Sequence, residues 1–179
     1  MKSIPLIIFS FFVISFLPSC KNLQPLTDSM RKSHNWAEPQ MKKIQFYLSE
    51  DVLLQREIPK GSDKIVHGKV KIVNNTKIEE ITISKGTKGV LVQMPNDTKL
   101  FISFEISDSY FLTFGVNPSA GGKYVLLASD WNNNVGKVHY GDQSEVYFTD
   151  AKYAYLLVDL HQIDKSQRKS RTAHGRKVK

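Results

Sequence analysis

The sequence has a single cysteine, Cys20, among 179 residues. One thiol cannot form a disulfide within the chain, a thiolate metal cluster or a two-cysteine redox motif. The histidines are too scattered for the ligand spacing of a zinc site; they are His34, His67, His139, His161 and His174. We therefore predict a domain that is held together by packing alone and that binds no metal and no cofactor.

Motifs of catalytic chemistry are also missing. Ser129, Asp130, His139 and Asp142 supply the residue types of a nucleophile, an acid and a base, but no nucleophile elbow of the G-x-S-x-G type accompanies them. His139 alternates in phase with Lys137, which favours a solvated histidine on a strand. The sequence favours a protein that is not an enzyme, and a hydrolase with an unrecognised site is the weakest alternative.

The body of the chain carries no net charge. The formal net charge is +8, but seven of the 25 basic residues lie between Lys165 and Lys179 with no acid among them, and Lys2 is one more. The segment from Cys20 to Asp164 then holds 17 basic and 17 acidic residues. A neutral body argues against nucleic-acid binding by a basic folded face.

What the sequence does contain is an export signal at its start. Lys2 precedes an uncharged run of fourteen residues, Ile4 to Leu17, which is short for a membrane-spanning helix. The run ends in Leu17-Pro18-Ser19-Cys20, which resembles the lipobox of bacterial lipoproteins. The resemblance implies a signal peptide over 1–19, cleavage before Cys20, and acylation of Cys20 with chains such as palmitate. Two or three chains hold a protein on a membrane almost permanently; an uncleaved anchor or an ordinary secretory signal is the alternative.

The residues after the cysteine bear on where such a lipoprotein is sorted. Lys21 is not the aspartate that retains lipoproteins in the inner membrane. The stretch Lys21-Asn22-Leu23-Gln24 also lacks the acidic cluster of surface-export signals in Bacteroidota lipoproteins. The resemblance therefore implies attachment to the periplasmic face of the outer membrane.

The basic residues form a C-terminal tail over 165–179. Like charges without apolar periodicity predict a flexible segment. Such a tail can dock an anionic partner in the envelope, such as lipopolysaccharide phosphates, peptidoglycan carboxylates or an acidic patch of a membrane protein complex; a tail that only aids solubility is the alternative. The candidate contacts are Lys165, Arg168, Lys169, Arg171, Arg176, Lys177 and Lys179.

Residues 20–41 mix polar residues with two prolines and show no period over a useful length, so we interpret them as a tether between the lipid and the domain. A short helix near Thr27 to Ser33 is compatible with this segment, with Thr27 or Asp28 as its cap. The domain itself is expected over 42–164.

Residues 42–164 show the pattern of an antiparallel β domain. Val66, Val70 and Ile72 belong to an alternating segment that predicts a half-buried strand, and the turn Asn74-Asn75 returns the chain as a hairpin. In all, about ten short strands separated by turns predict an all-β fold, either an antiparallel sandwich or a small closed barrel.

Trp131 is expected in a loop beside Asn132, Asn133 and Asn134. An exposed indole flanked by amides is a common arrangement for holding a sugar ring, whereas loop tryptophans also fold back over the end of a β core. The leading interpretation of the chain is an accessory or binding subunit of an envelope protein complex, anchored through lipid on Cys20. The alternative is a glycan- or peptidoglycan-binding module that uses the Trp131 loop.

Overall fold

The strands of the protein form two antiparallel sheets. The computed structural model describes residues 22–61, 68–141, 145–161 and 163. Within these residues the strands are β1 (Leu23–Pro25), β2 (Phe46–Leu48), β3 (Val52–Ile58), β4 (Lys69–Val73), β5 (Thr76–Ile83), β6 (Lys88–Asn96), β7 (Lys99–Ser103), β8 (Phe111–Asn117), β9 (Lys123–Leu126), β10 (Ser129–Asn132), β11 (Val135–His139), β12 (Val146–Thr149) and β13 (Leu156–Asp159). The helices are α1 (Asp28–Ser33), α2 (Glu38–Met41) and a single 3-10 turn, Pro118–Ala120.

The first sheet has the order β1-β13-β2-β6-β7-β8-β9, and the second has the order β10-β11-β12-β3-β5-β4. One buried apolar cluster draws on both sheets, with Phe46 and Leu100 from the first and Leu54 and Ile81 from the second. The predicted all-β antiparallel sandwich is confirmed. Over the described residues there are thirteen strands, more than the ten or so expected, and no closed barrel.

The predicted hairpin at Asn74-Asn75 is confirmed as β4–β5. Both asparagines have positive φ, 48° and 62°, and Val73 pairs with Thr76 across the turn. Two residues of left-handed backbone give a turn whose twist matches that of the strands, and asparagine tolerates this conformation better than most residues.

The prediction that β4 is half-buried is wrong for the residues described. All five of its side chains are exposed, and Ile72 keeps 72% of its surface accessible. The reason is position: β4 is the edge strand of the second sheet, where the described part of the chain packs nothing over it. Val66, which belonged to the same predicted strand, lies outside the described residues.

The predicted tether is corrected from residue 23 onward. Strand β1 pairs with β13 in the first sheet, with Leu23 opposite Asp159. The chain then buries Leu26, Trp36 and Met41 in the core. Their spacing follows a strand, two short helices and their connections, so it shows no single period. The domain therefore begins about twenty residues earlier than its predicted start at 42.

The predicted cap of the short helix is confirmed. The side chain of Thr27 accepts a hydrogen bond from the backbone N–H of Met30 at 3.1 Å, and α1 begins at the next residue, Asp28. Hydrogen bonds from Lys32, and to a lesser extent Arg31, hold the pKa of the Asp28 carboxyl below its ordinary value. These contacts connect the first turn of α1 to its last turn.

The two ends of the first sheet approach each other, and this creates the groove described below. The backbone N–H of Leu126 in β9 donates to the carbonyl of Ala154 at 2.7 Å, and that of Tyr124 donates to Leu26 at 3.1 Å. Isolated bridges join Thr27 to Lys123 and Val125 to Tyr155. The outer edge of β9 is therefore covered by the chain leading into β13.

Among the described residues, no helix is both long enough and apolar enough to cross a membrane. The predicted signal peptide, Cys20 and the seven basic residues of the tail lie outside the described residues.

Candidate binding groove

An open groove lies where β9, the 3-10 turn, β10 and residues 152–155 meet. Its volume is about 410 Å³, within the range of small-ligand sites. Three aromatic side chains line it, those of Trp131, Tyr153 and Tyr155. Trp131 is 37% exposed and Tyr153 is 71% exposed. The groove therefore presents aromatic surface to solvent.

The local backbone explains how Trp131 reaches the groove. The expected loop is corrected: Trp131 lies in β10, which forms a hairpin with β11. The register shifts between Ser129 and Asn132, so β10 carries one extra residue relative to β11. Asp130, at φ 50°, adopts the left-handed backbone found at such a bulge. Bulges of this kind redirect side chains and are common beside binding sites.

The indole of Trp131 lies against Gly136 on β11. A Cβ added at Gly136 would lie 2.9 Å from two atoms of the indole and 2.7 Å from the Cβ of Ala128. Both distances are too short for any other residue to fit without movement. Glycine at this position lets the ring pack on one side while remaining partly exposed.

The three asparagines do not line the groove. Asn133 and Asn134 occupy the two-residue turn between β10 and β11, at φ 47° and 67°. Their left-handed conformation is the requirement that the turn places on them. The structure therefore brings Trp131 to the site and assigns Asn133 and Asn134 a role in positioning it. The amide in the lining is Asn117, whose Oδ1 accepts a hydrogen bond from the N–H of Ser119 at 2.9 Å.

The charged side chains of the lining are two lysines, Lys123 and Lys152. The Nζ of Lys123 lies 4.5 Å from the ring centroid of Tyr155, and that of Lys152 lies 5.7 Å from the ring centroid of Tyr153. Both distances are within the range of cation–π interaction. The groove thus combines aromatic faces with positive charge.

Sequence patterns did not identify these lysines or tyrosines. Lys123 and Tyr155 are far apart in the chain and meet only because β9 lies beside the segment that leads into β13. Tyr153 lies in the connection before β13, which begins at Leu156. The usable signal was the run Lys152-Tyr153-Ala154-Tyr155, which places two aromatic residues and a cation within four positions.

The chain matches no known family model, and it has no significant match among curated proteins or solved structures.

Two of the four residues that could have formed a hydrolase site, Ser129 and Asp130, have other partners. The hydroxyl of Ser129 donates to the carbonyl of Lys137 at 3.5 Å, and Asp130 Oδ2 pairs with Lys137 Nζ at 3.2 Å. His139 is exposed at the end of β11, opposite Val146. Asp142 lies outside the described residues. In the described part of the chain, no group of three or more histidine, cysteine, aspartate or glutamate residues is placed to hold a metal ion.

A second polar cluster lies in the interior and is closed to ligands. Glu79 is 0% exposed, and its Oε2 accepts from Arg56 Nε at 2.6 Å. Arg56 also pairs with Glu145 at 2.7 Å, and its guanidinium lies 4.8 Å from the ring centroid of Tyr147. The other oxygen of Glu79 accepts from the backbone N–H of Gly68 at 2.8 Å. Every group named is engaged within the protein, which indicates a structural role.

Two tyrosines extend this cluster. The hydroxyl of Tyr147 donates to Glu79 at 3.4 Å, and that of Tyr140 donates to Glu105 at 2.6 Å. Burial, followed by the neighbouring carboxylates, raises the pKa of both phenols well above the ordinary value. Both hydroxyls therefore keep their protons near neutral pH and serve as hydrogen-bond donors.

Proposed function

We propose that this protein is a lipid-anchored, non-enzymatic binding protein of the bacterial envelope, and that its folded domain holds a saccharide in the groove. The observation that carries the proposal is the open groove with three aromatic side chains, two of them exposed. Sugar rings present an apolar face that stacks on an indole or phenol ring, while their hydroxyls bond to polar groups at the ring edge. The geometry supports this glycan-binding function better than the accessory-subunit function.

The location of the protein is proposed from the sequence. The lipobox at Leu17-Pro18-Ser19-Cys20 supports an anchor on the periplasmic face of the outer membrane. Confinement to a surface raises the effective concentration of the domain toward ligands held at the same surface. A shallow groove of modest affinity is adequate under these conditions, and peptidoglycan and outer-membrane saccharides are the ligands within reach.

Replacing Trp131 with alanine is expected to weaken saccharide binding at least tenfold. The change removes an aromatic platform whose loss costs about 1.5 kcal/mol or more. Binding would be measured by co-sedimentation with purified peptidoglycan and by calorimetry with soluble polysaccharides. Trp131→Phe should retain most of the affinity because it keeps an aromatic face.

Phe148→Ala is the matched control for Trp131→Ala. Phe148 is also a partly exposed aromatic residue, on β12 of the second sheet, and it does not line the groove. Its loss should leave binding unchanged. If the wild-type protein and the Trp131→Ala variant bind saccharides with equal affinity, the groove is not the binding site.

Replacing Cys20 with serine is expected to move the protein from the membrane fraction to the soluble periplasmic fraction. Serine cannot accept the thioether-linked lipid, so no acyl chain remains to partition into the bilayer. Fractionation and labelling with a palmitate analogue would check this. Retention of Cys20→Ser in the membrane would indicate an uncleaved hydrophobic anchor instead.

The second candidate is an accessory subunit of an envelope protein complex, and the exposed edge strand β4 favours it. Edge strands pair readily with a partner chain, and the basic tail adds charge for an anionic partner. Deleting 165–179 should then reduce co-purification with envelope proteins at physiological salt. Unchanged co-purification would count against docking by the tail.

A further inference from the structure

We propose that the saccharide bound by the groove is acidic, carrying carboxylates that Lys123 and Lys152 recognise. This inference rests on the proposed saccharide-binding function and adds the chemical class of the ligand. Both charged side chains of the lining are cations, and the lining contains no aspartate or glutamate among the residues described. A groove for a neutral sugar has no need of two uncompensated positive charges, whereas a groove for a uronic acid does.

The two lysines differ from the paired lysines of this protein. Lys32, Lys42, Lys71 and Lys137 each form an ion pair with a carboxylate. Within the described residues, Lys123 and Lys152 form no ion pair, and their ammonium groups lie over aromatic rings instead.

The position of each ammonium group suits a ligand that stacks and carries a charge at once. A cation held over one tyrosine face occupies that face and leaves the indole of Trp131 as a surface on which a pyranose would stack. A uronic acid carries its carboxylate at the edge of the pyranose ring, so stacking and ion pairing can occur together. Lys123 is half-buried, and partial removal from water strengthens its attraction to an anion.

The acidic residue next to Trp131 in the β10–β11 hairpin already forms an ion pair. Asp130 precedes Trp131, but its carboxylate pairs with Lys137, and neither residue belongs to the lining. Both charged side chains of the lining are thus cations, an arrangement that favours anions.

The test compares acidic polymers with their uncharged esters. The full-length lipidated protein in detergent would be titrated with polygalacturonate and hyaluronan fragments, each against its fully methyl-esterified form. The members of a pair share one backbone and differ only in charge. We expect at least tenfold tighter binding of the acids at low salt. The preference should disappear in the double variant Lys123→Met, Lys152→Met, which keeps the long apolar stems.

Two controls separate the groove from other positive charge. Lys85→Met with Lys88→Met removes two exposed lysines outside the groove and should leave the preference intact. Deleting 165–179 removes the tail cations, which attract an acidic polymer but not its uncharged ester, so any loss of affinity should fall on the acids, and the part of the preference that depends on Lys123 and Lys152 should remain. The inference would be overturned by a preference for the acids that is lost on deletion of 165–179 and is unchanged in the Lys123→Met, Lys152→Met variant.

The outcomes also distinguish this inference from the function on which it rests. Equal, Trp131-dependent binding of acid and ester would leave a saccharide-binding groove and refute its acidic specificity. Absence of binding to both polymers in every form would refute the acidic specificity, and the saccharide-binding function would be refuted with it if peptidoglycan and soluble polysaccharides also failed to bind.

Discussion

Replacing Arg56 with methionine is expected to lower the free energy of unfolding by about 3–5 kcal/mol. The change removes the guanidinium that faces the Glu79 carboxylate, and Glu79 is 0% exposed. A buried carboxylate that loses its counter-ion retains the desolvation penalty without the attraction that offset it. Tyr147 loses its cation–π partner in the same change. Urea denaturation followed by intrinsic tryptophan fluorescence would give the difference.

Lys71→Met is the matched control. It breaks the ion pair between Lys71, which is exposed, and Glu80, which neighbours Glu79 on β5. Hydrogen bonds from Lys71 and Gln55 lower the pKa of the Glu80 carboxyl, but an ion pair whose lysine is exposed to solvent contributes little to stability. Similar small losses in both variants would contradict the structural role of the interior cluster.

Replacing Trp36 with alanine is expected to lower the free energy of unfolding by about 3–5 kcal/mol. Trp36 is 1% exposed and is the largest of the fully buried side chains. It lies between α1 and α2, within the segment that sequence patterns predicted as a tether. A large loss would establish by experiment that this segment belongs to the domain. Thermal and urea unfolding followed by circular dichroism would measure it.

Ile106→Ala is the control for Trp36→Ala. Ile106 is a large apolar residue whose side chain is fully exposed, so its truncation should change stability by less than about 0.5 kcal/mol. A truncated protein that starts at residue 42 should fail to fold, since it lacks β1 and the buried residues that follow. A stable domain starting at 42 would show that residues 23–41 are dispensable.

The local features of the fold could be predicted because their determinants are neighbours in sequence. Asn74-Asn75 specifies a tight turn by its own backbone preferences, and Thr27 caps α1 through a residue three positions away. The alternating strands follow from side chains that face a common core. Such signals are contained within a few residues, so one sequence is sufficient to find them.

The errors came from contacts between distant parts of the chain. Strand β1 exists because β13, near the other end of the domain, offers it an edge. Strand β4 is exposed because its apolar residues meet no second layer within the described part of the chain, which alternation alone does not reveal. Both outcomes depend on strand order.

The candidate site divides in the same way. Trp131 could be selected from its neighbours, because an aromatic residue among turn formers is unusual. The lysines and tyrosines that complete the groove come from β9 and from 152–155, and only the approach of the two ends of the first sheet brings them together. The charge of the groove, on which its proposed specificity rests, could therefore not be predicted from sequence patterns.

The pairing of β1 with β13 would set the distance between the domain and a membrane that holds the proposed lipid on Cys20. Leu23 lies beside Asp159 in adjacent antiparallel strands, so the first and last strands of the domain lie side by side. Leu23 lies three positions after Cys20, and an extended chain spans at most about 3.5 Å per position, or roughly 10 Å in all. A lipid on Cys20 would thus hold this end of the domain against the headgroups, with the seven cations of the tail starting six residues beyond Asp159. The proposed lipid anchor and the basic tail would then act on the same patch of bilayer.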